Sequence, residues 1–302
     1  MATPDDVSDA ELAGLSEFAL LGENARQAGV AGPLPTVERV ESGAISALRW
    51  GGKAPRAVFL HGGGQNAHTF DTVIVGLGEP ALAVDLPGHG RSAWRDDGDY
   101  GPRQNAATLA PVLRELAPDA ELVVGMSLGG LTAIRLAVSA PELVRELVLV
   151  DVTPSAPERH IEMTDAQRGT VALVQGERIF PSFAAMLDVT VAAAPHRDRE
   201  SLRRGVFHNS KRLDDGTWTW RYDSIRTGDG FVGLWDDVPA LTTPTTLVRG
   251  GNSVFVSDED AAAFARAAPG FRGVRVVENS GHSVQSDQPR LLIDILRQVI
   301  DA

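Results

Sequence analysis

Ser127 stands in Gly125-Met-Ser-Leu-Gly129, directly behind the apolar run Glu121-Leu-Val-Val124 and ahead of the helix-like Gly130-Leu-Thr-Ala-Ile-Arg-Leu-Ala137. A serine is a weak nucleophile unless a sharp turn exposes it beside a base, and flanking glycines give a strand-to-helix turn the close backbone approach it needs. The base must come from elsewhere in the chain. Ala57-Val-Phe-Leu-His61 runs into Gly62-Gly-Gly64, and Glu278-Asn-Ser-Gly-His282 follows the strand-like Gly273-Val-Arg-Val-Val277. A turned serine, a late histidine and a glycine loop with backbone donors are the parts of acyl transfer: attack, proton transfer and oxyanion stabilisation. Either residue alone could be a plain loop residue, and the pentapeptide alone is weak evidence, since a chain this rich in glycine should hold on the order of 0.2 accidental matches. Their joint context points to catalysis.

Positioning these groups takes a frame of strands. Val37-Glu-Arg-Val-Glu41 and Ala44-Ile-Ser-Ala-Leu-Arg-Trp50, separated by Ser42-Gly43, predict a β-hairpin, and Arg56 to Leu60 the next strand. Ala81–Asp85, Glu121–Met126, Leu147–Asp151, Thr245–Arg249 and Val274–Val277 then alternate with helical stretches, as parallel βαβ units do. Ahead of the hairpin, Leu12, Leu15, Phe18, Ala19 and Ala25 predict one packing helix from about Asp9 to Ala28, stopped at Gly29. From Thr153 to about Trp235 the alternation fails. That stretch, with its prolines and its Trp218-Thr-Trp220-Arg-Tyr222 cluster, is expected to form a cap laid over the site. The expected organisation is therefore a helical extension over 1–35, a core over 36–152 and 236–302, and a cap over 153–235.

His61-Gly-Gly-Gly64, Asp85-Leu-Pro-Gly-His-Gly-Arg-Ser92, Gly125-Met-Ser-Leu-Gly-Gly130, Leu149-Val-Asp151 and Gly281-His282 together resemble an α/β-hydrolase fold serine hydrolase, close to a mycobacterial-type carboxylesterase. The resemblance covers nearly the whole chain. It implies an α/β fold: a mostly parallel eight-stranded sheet, helices on both faces, and a helical cap inserted after the sixth strand. It implies Ser127 as nucleophile, His282 as general base, and an oxyanion hole from the N–H groups of Leu128 and Gly63, with Gly64 second to Gly63. His61, Asp85 and His89 are expected to shape loops.

The third triad member departs from the family pattern. In Arg249-Gly-Gly-Asn-Ser-Val254, a valine occupies the place of the usual acid after the seventh strand. Asp151, which ends the sixth strand, is preferred over Asp258, because Ser257-Asp-Glu-Asp260 before Ala261-Ala-Ala-Phe-Ala265 reads as an N-cap with acids in the first helical turn. Asp151 could instead bond only the cap junction at Thr153-Pro154, so the choice stays open here.

A net charge of -12 argues against a nucleic-acid partner, and the absence of cysteine excludes thiolate nucleophiles and disulfides. His196 and His208 lie far apart without partners at ligand spacing, so no metal and no cofactor are expected. Trp218, Trp220, Tyr222 and Trp235 are expected in the cap core, one or two of them bordering the pocket. An acidic start and no apolar run of about 18 residues make a cytoplasmic protein without a membrane span the expectation. The expected activity is hydrolysis of small, short to medium acyl esters through an acyl-enzyme. C–C bond, lactone or thioester hydrolysis on the same triad, or a weakly catalytic ligand-binding role, are the alternatives. Oligomeric state and natural substrate stay open.

Overall fold

The apolar runs Ala57–Leu60 (β3), Ala81–Val84 (β4), Leu122–Met126 (β5) and Leu147–Val150 (β6) are buried at every residue, because helices cover both faces of the sheet they build. The computed structural model describes residues 9–224 and 234–301; expectations resting on 1–8, 225–233 and 302 lie outside them. The predicted hairpin forms from Val37–Ser42 (β1) and Ile45–Trp50 (β2), turning at Gly43. Thr245–Gly250 (β10) and Phe271–Val277 (β11) complete an eight-stranded sheet in the order β1-β2-β4-β3-β5-β6-β10-β11. Only β2 pairs antiparallel, to β1 and to β4.

Alternate side chains of each strand enter opposite cores. Val58, Leu60, Val123, Leu147 and Leu149 join one cluster with Leu109, Leu113, Leu131, Ile134 and Phe264. These last come from helices α4 (Pro102–Leu116), α5 (Leu128–Ser139) and α10 (Asp258–Ala267). Ala57, Phe59, Val124, Val148 and Val150 join the other, with side chains of α2 (Leu21–Ala28), α3 (Asp71–Leu77) and α11 (Pro289–Ile300).

The single helix predicted over Asp9–Ala28 is two: α1 (Asp9–Gly14) and α2, which ends at Gly29 in the left-handed region. The two halves serve different cores, and that breaks the helix. Leu12 of α1 packs beneath Trp218 and Phe183, whereas Leu21 and Ala25 of α2 pack on the sheet. Between them Glu17 turns inward to Arg39 and His68.

After β6 the chain leaves the sheet through α6 (Ala156–Glu162), α7 (Asp165–Arg168), α8 (Phe183–Ala193) and α9 (Arg199–Asn209). This segment, implied by the resemblance to be helical, carries these helices and three short strands as well. Ile179–Phe180 (β7), Ser210–Arg212 (β8) and Trp218–Trp220 (β9) form a second, antiparallel sheet in the order β7-β9-β8. Trp218, Trp220 and Tyr222 are buried in a separate cluster there with Phe180, Met186 and Leu202. Trp235, expected among them, packs instead against the main core.

Candidate active site

Strand order brings the site together. The loops after β3, β5 and β6 leave neighbouring strands at their C-terminal ends, where parallel sheets place ligands. Ser127, between β5 and α5, has φ 50° and ψ -119°, a conformation a non-glycine residue holds only when its surroundings impose it. The flanking glycines make this possible. A Cβ on Gly125 would lie 2.6 Å from Gly130 Cα, and one on Gly129 would lie 2.1 Å from the Leu60 carbonyl oxygen. Both obstacles are backbone and cannot rotate away. Gly129→Ala is therefore expected to cost about 3 kcal/mol or more, the upper range of core overpacking, seen as a lower denaturant midpoint. An unchanged midpoint would show that the elbow can relax.

His282 follows β11, the edge strand, and must reach back across the end of β10. Gly250 permits that: its missing Cβ would stand 2.2 Å from the Gly281 carbonyl oxygen. The His282 Nδ1 lies 2.7 Å from Asp151 Oδ2, and Asp151, itself fully buried with φ 52°, also accepts the Gly250 N–H at 3.0 Å. Asp258 does not approach the histidine. Its side chain is 95% exposed and pairs with Arg249, while Ser257 and Asp260 close a reciprocal cap at the start of α10. The ring of Phe255 lies flat on His282, 3.6 Å between centroids and 12° between planes. The Nε2 of His282 is buried and has no hydrogen-bond partner among the described residues, so no Ser127 hydrogen bond is formed in this state. Such bonds often tighten only with substrate in place.

Leu128 opens α5, where an N–H has no intrahelical acceptor. In the β3 loop, Gly62 N–H donates to Gln65 Oε1 at 2.9 Å and Gly64 N–H to His89 Nε2 at 3.1 Å. Gly64, the second choice from sequence, is thus engaged. No intramolecular acceptor takes the N–H of Gly63 among the described residues.

His61 and His89 act as neutral struts: each donates Nδ1–H to a carbonyl, Gly62 and Pro87 respectively, and accepts a backbone N–H on Nε2, from Leu86 and Gly64. Burial pushes His61 down to about 3, helped by repulsion from His89, and His89 down to about 4. An unfolded histidine titrates near ~6.5. Below that pH these two positions bind protons in the unfolded chain that the folded one refuses, so together they lower stability by up to ~2.7 kcal/mol per pH unit from about pH 6.5 toward pH 4. Tm measured from pH 7 to pH 5 checks this; a flat Tm would contradict it.

Among the described residues, His68, Asp71 and His208 could hold a metal ion, their ligand atoms lying within 4.8 Å of one another. The expectation that His208 has no such partners is thereby corrected; α3 and α9 bring together what the sequence separates. His68 nevertheless faces Asp71 at 2.8 Å and Glu17 at 3.1 Å and stacks on His208 at 3.7 Å. Burial opposes charge on His68, yet the two carboxylates outweigh it and raise it to about 9, which favours a proton there. His196 lies apart from this group, in the loop before α9.

A cavity of about 150 Å³ lies between the Gly63–Asn66 loop and the segment after β6, with Leu173, Val174, Trp220 and Tyr222 among its walls. No described helix is long and apolar enough to cross a membrane.

Residues 57–295 match the model of the alpha/beta hydrolase family. The chain is 75% identical over 295 residues to the esterase Rv0045c of Mycobacterium tuberculosis, covering 98% of this chain and 99% of that one. A solved structure of that esterase superposes with a TM-score of 0.89 at 76% identity, covering 96% of this chain and 100% of the other. More distantly, it is 28% identical over 271 residues to 2-(acetamidomethylene)succinate hydrolase of Mesorhizobium japonicum, covering 87% and 95% of the two chains.

Proposed function

The chain belongs to the alpha/beta hydrolase family, and we propose that it is a serine carboxylesterase acting on small, short to medium acyl esters through an acyl-enzyme on Ser127. The observation that carries this reading is the imidazole of His282, tied by Nδ1 to buried Asp151 and presenting a buried Nε2 without a partner among the described residues. Its likeness to a named esterase at 75% identity supports the ester as substrate class.

Ser127 Oγ attacks the acyl carbon while His282 Nε2 takes its proton, and Asp151 balances the imidazolium that forms. The N–H groups of Leu128 and Gly63 receive the oxyanion. His282 then returns the proton to the departing alcohol; water, deprotonated by the same nitrogen, attacks the acyl carbon, and that proton passes to Ser127 Oγ as the acid leaves. Only the neutral imidazole can start the cycle, so turnover rises with pH along one limb.

A fluorophosphonate probe and a series of p-nitrophenyl esters from acetate to palmitate test this reading. One labelled site at Ser127, with turnover greatest for the shorter chains, is expected. Labelling without turnover of any ester, but with turnover of a lactone or thioester, would replace the ester by that substrate.

A further inference from the structure

The loop after β10 lacks the acid that the family commonly places there, and Val254 at that position is exposed. Its neighbour is differently placed. Ser253 Oγ lies 2.5 Å from Asp151 Oδ2, the same oxygen that faces His282 Nδ1. The N–H of Phe255 donates to Ser253 Oγ at 3.1 Å, which leaves the hydroxyl hydrogen for the carboxylate. Two residues of one loop thus bear on the Asp151–His282 pair: the Ser253 hydroxyl on the acid, and the Phe255 ring on the imidazole face.

We propose that Ser253 is a positioning residue: its hydroxyl holds Asp151 Oδ2 toward His282 and takes up part of that oxygen's charge. The inference rests on the triad reading above and deepens it. An acid carried by β6 approaches the histidine from a different strand than the family's usual acid. Gly250 N–H fixes one carboxylate oxygen; without Ser253 the other would have His282 alone to define its direction. A donor on a carboxylate also weakens its pull on a second donor, because both draw on the same charge. Removing the Ser253 hydroxyl therefore strengthens the attraction of Asp151 for a proton on the imidazole. Besides Asp151, His160 of α6 interacts electrostatically with His282, and His196 and the Arg197–Asp287 pair lie beside the neighbouring Gly281. None of them touches Ser253 Oγ.

The near-isosteric pair Ser253→Thr and Ser253→Val separates the hydroxyl from the space it fills. kcat and KM are measured from pH 5 to pH 9 for both, for Ser253→Ala, and for Asp151→Asn. Ser253→Thr is expected to behave as wild type. Ser253→Val and Ser253→Ala should lose about 10-fold in kcat, the size of one hydrogen bond to a charged group, at unchanged KM. Their acidic limb should move to higher pH. A residue that only closes the turn would leave the limb in place, so an unmoved limb, or Thr and Val alike, overturns the proposal. Full activity in Asp151→Asn would overturn the triad reading and this inference together. An inactive Asp151→Asn with no Ser253 effect would overturn this inference alone.

Discussion

Ser127→Ala is expected to lower kcat for ester hydrolysis by about 10⁶-fold while the protein stays folded, since in the proposed mechanism it removes the nucleophile of a triad that works as a unit. Alanine keeps the Cβ and removes only Oγ, so the strained backbone at φ 50° is no worse off than with serine. The elbow itself depends on the close contacts of Gly125 and Gly129 and not on the hydroxyl. Two readouts are needed: turnover of a p-nitrophenyl ester, and Tm. Loss of turnover with Tm held within a few degrees is the expected pair. Turnover near the wild-type level in the purified variant would remove Ser127 from the mechanism and with it the acyl-enzyme.

Asp151→Asn should cost 10²- to 10⁴-fold in kcat with little change in KM, because the amide cannot hold the imidazole in the tautomer and orientation the reaction uses. Asparagine tolerates positive φ well, so the backbone at φ 52° accepts the change, and its oxygen can still accept the Gly250 N–H. Asp258→Asn is the matched control. That side chain stands in water, pairs with Arg249 and opens α10, so its loss should cost at most about 1 kcal/mol of stability and leave kcat near wild type. The reverse result, Asp258→Asn inactive and Asp151→Asn active, would move the acid to the loop after β10. Asp151 is fully buried and Asp258 exposed, so Tm is measured for both variants and the contrast in kcat is read with both folded.

Patterns confined to a few consecutive residues were readable without coordinates. The buried strands β3 to β6 are short, uninterrupted apolar runs, Gly43 marks its hairpin turn, and Ser257 caps α10 with Asp260 as its spacing suggests. The elbow was equally legible, since Gly125 and Gly129 are required by contacts on either side of one turn. The break between α1 and α2 was not, because apolar spacing shows that Leu12, Leu21 and Ala25 are buried but not in which core. The second sheet escaped for a similar reason: strands of two or three residues are too short to show a period.

The sequence by itself determined the chemistry on offer: a serine in an elbow, a histidine after the last strand, a glycine loop, and a missing acid at the usual place. These are local facts, written in neighbouring residues. Which carboxylate meets the histidine was decided only by tertiary structure, since Asp151 and His282 are 131 residues apart and meet because β10 is narrow enough at Gly250 to be crossed. The same holds for the partner of Asp151 on its far side, Ser253, and for which loop glycine is engaged, since His89 reaches Gly64 from another loop. Hydrogen bonds act over about 3 Å of space and are indifferent to separation along the chain. Only the folded arrangement of strands could choose among residues that the sequence presents as equals.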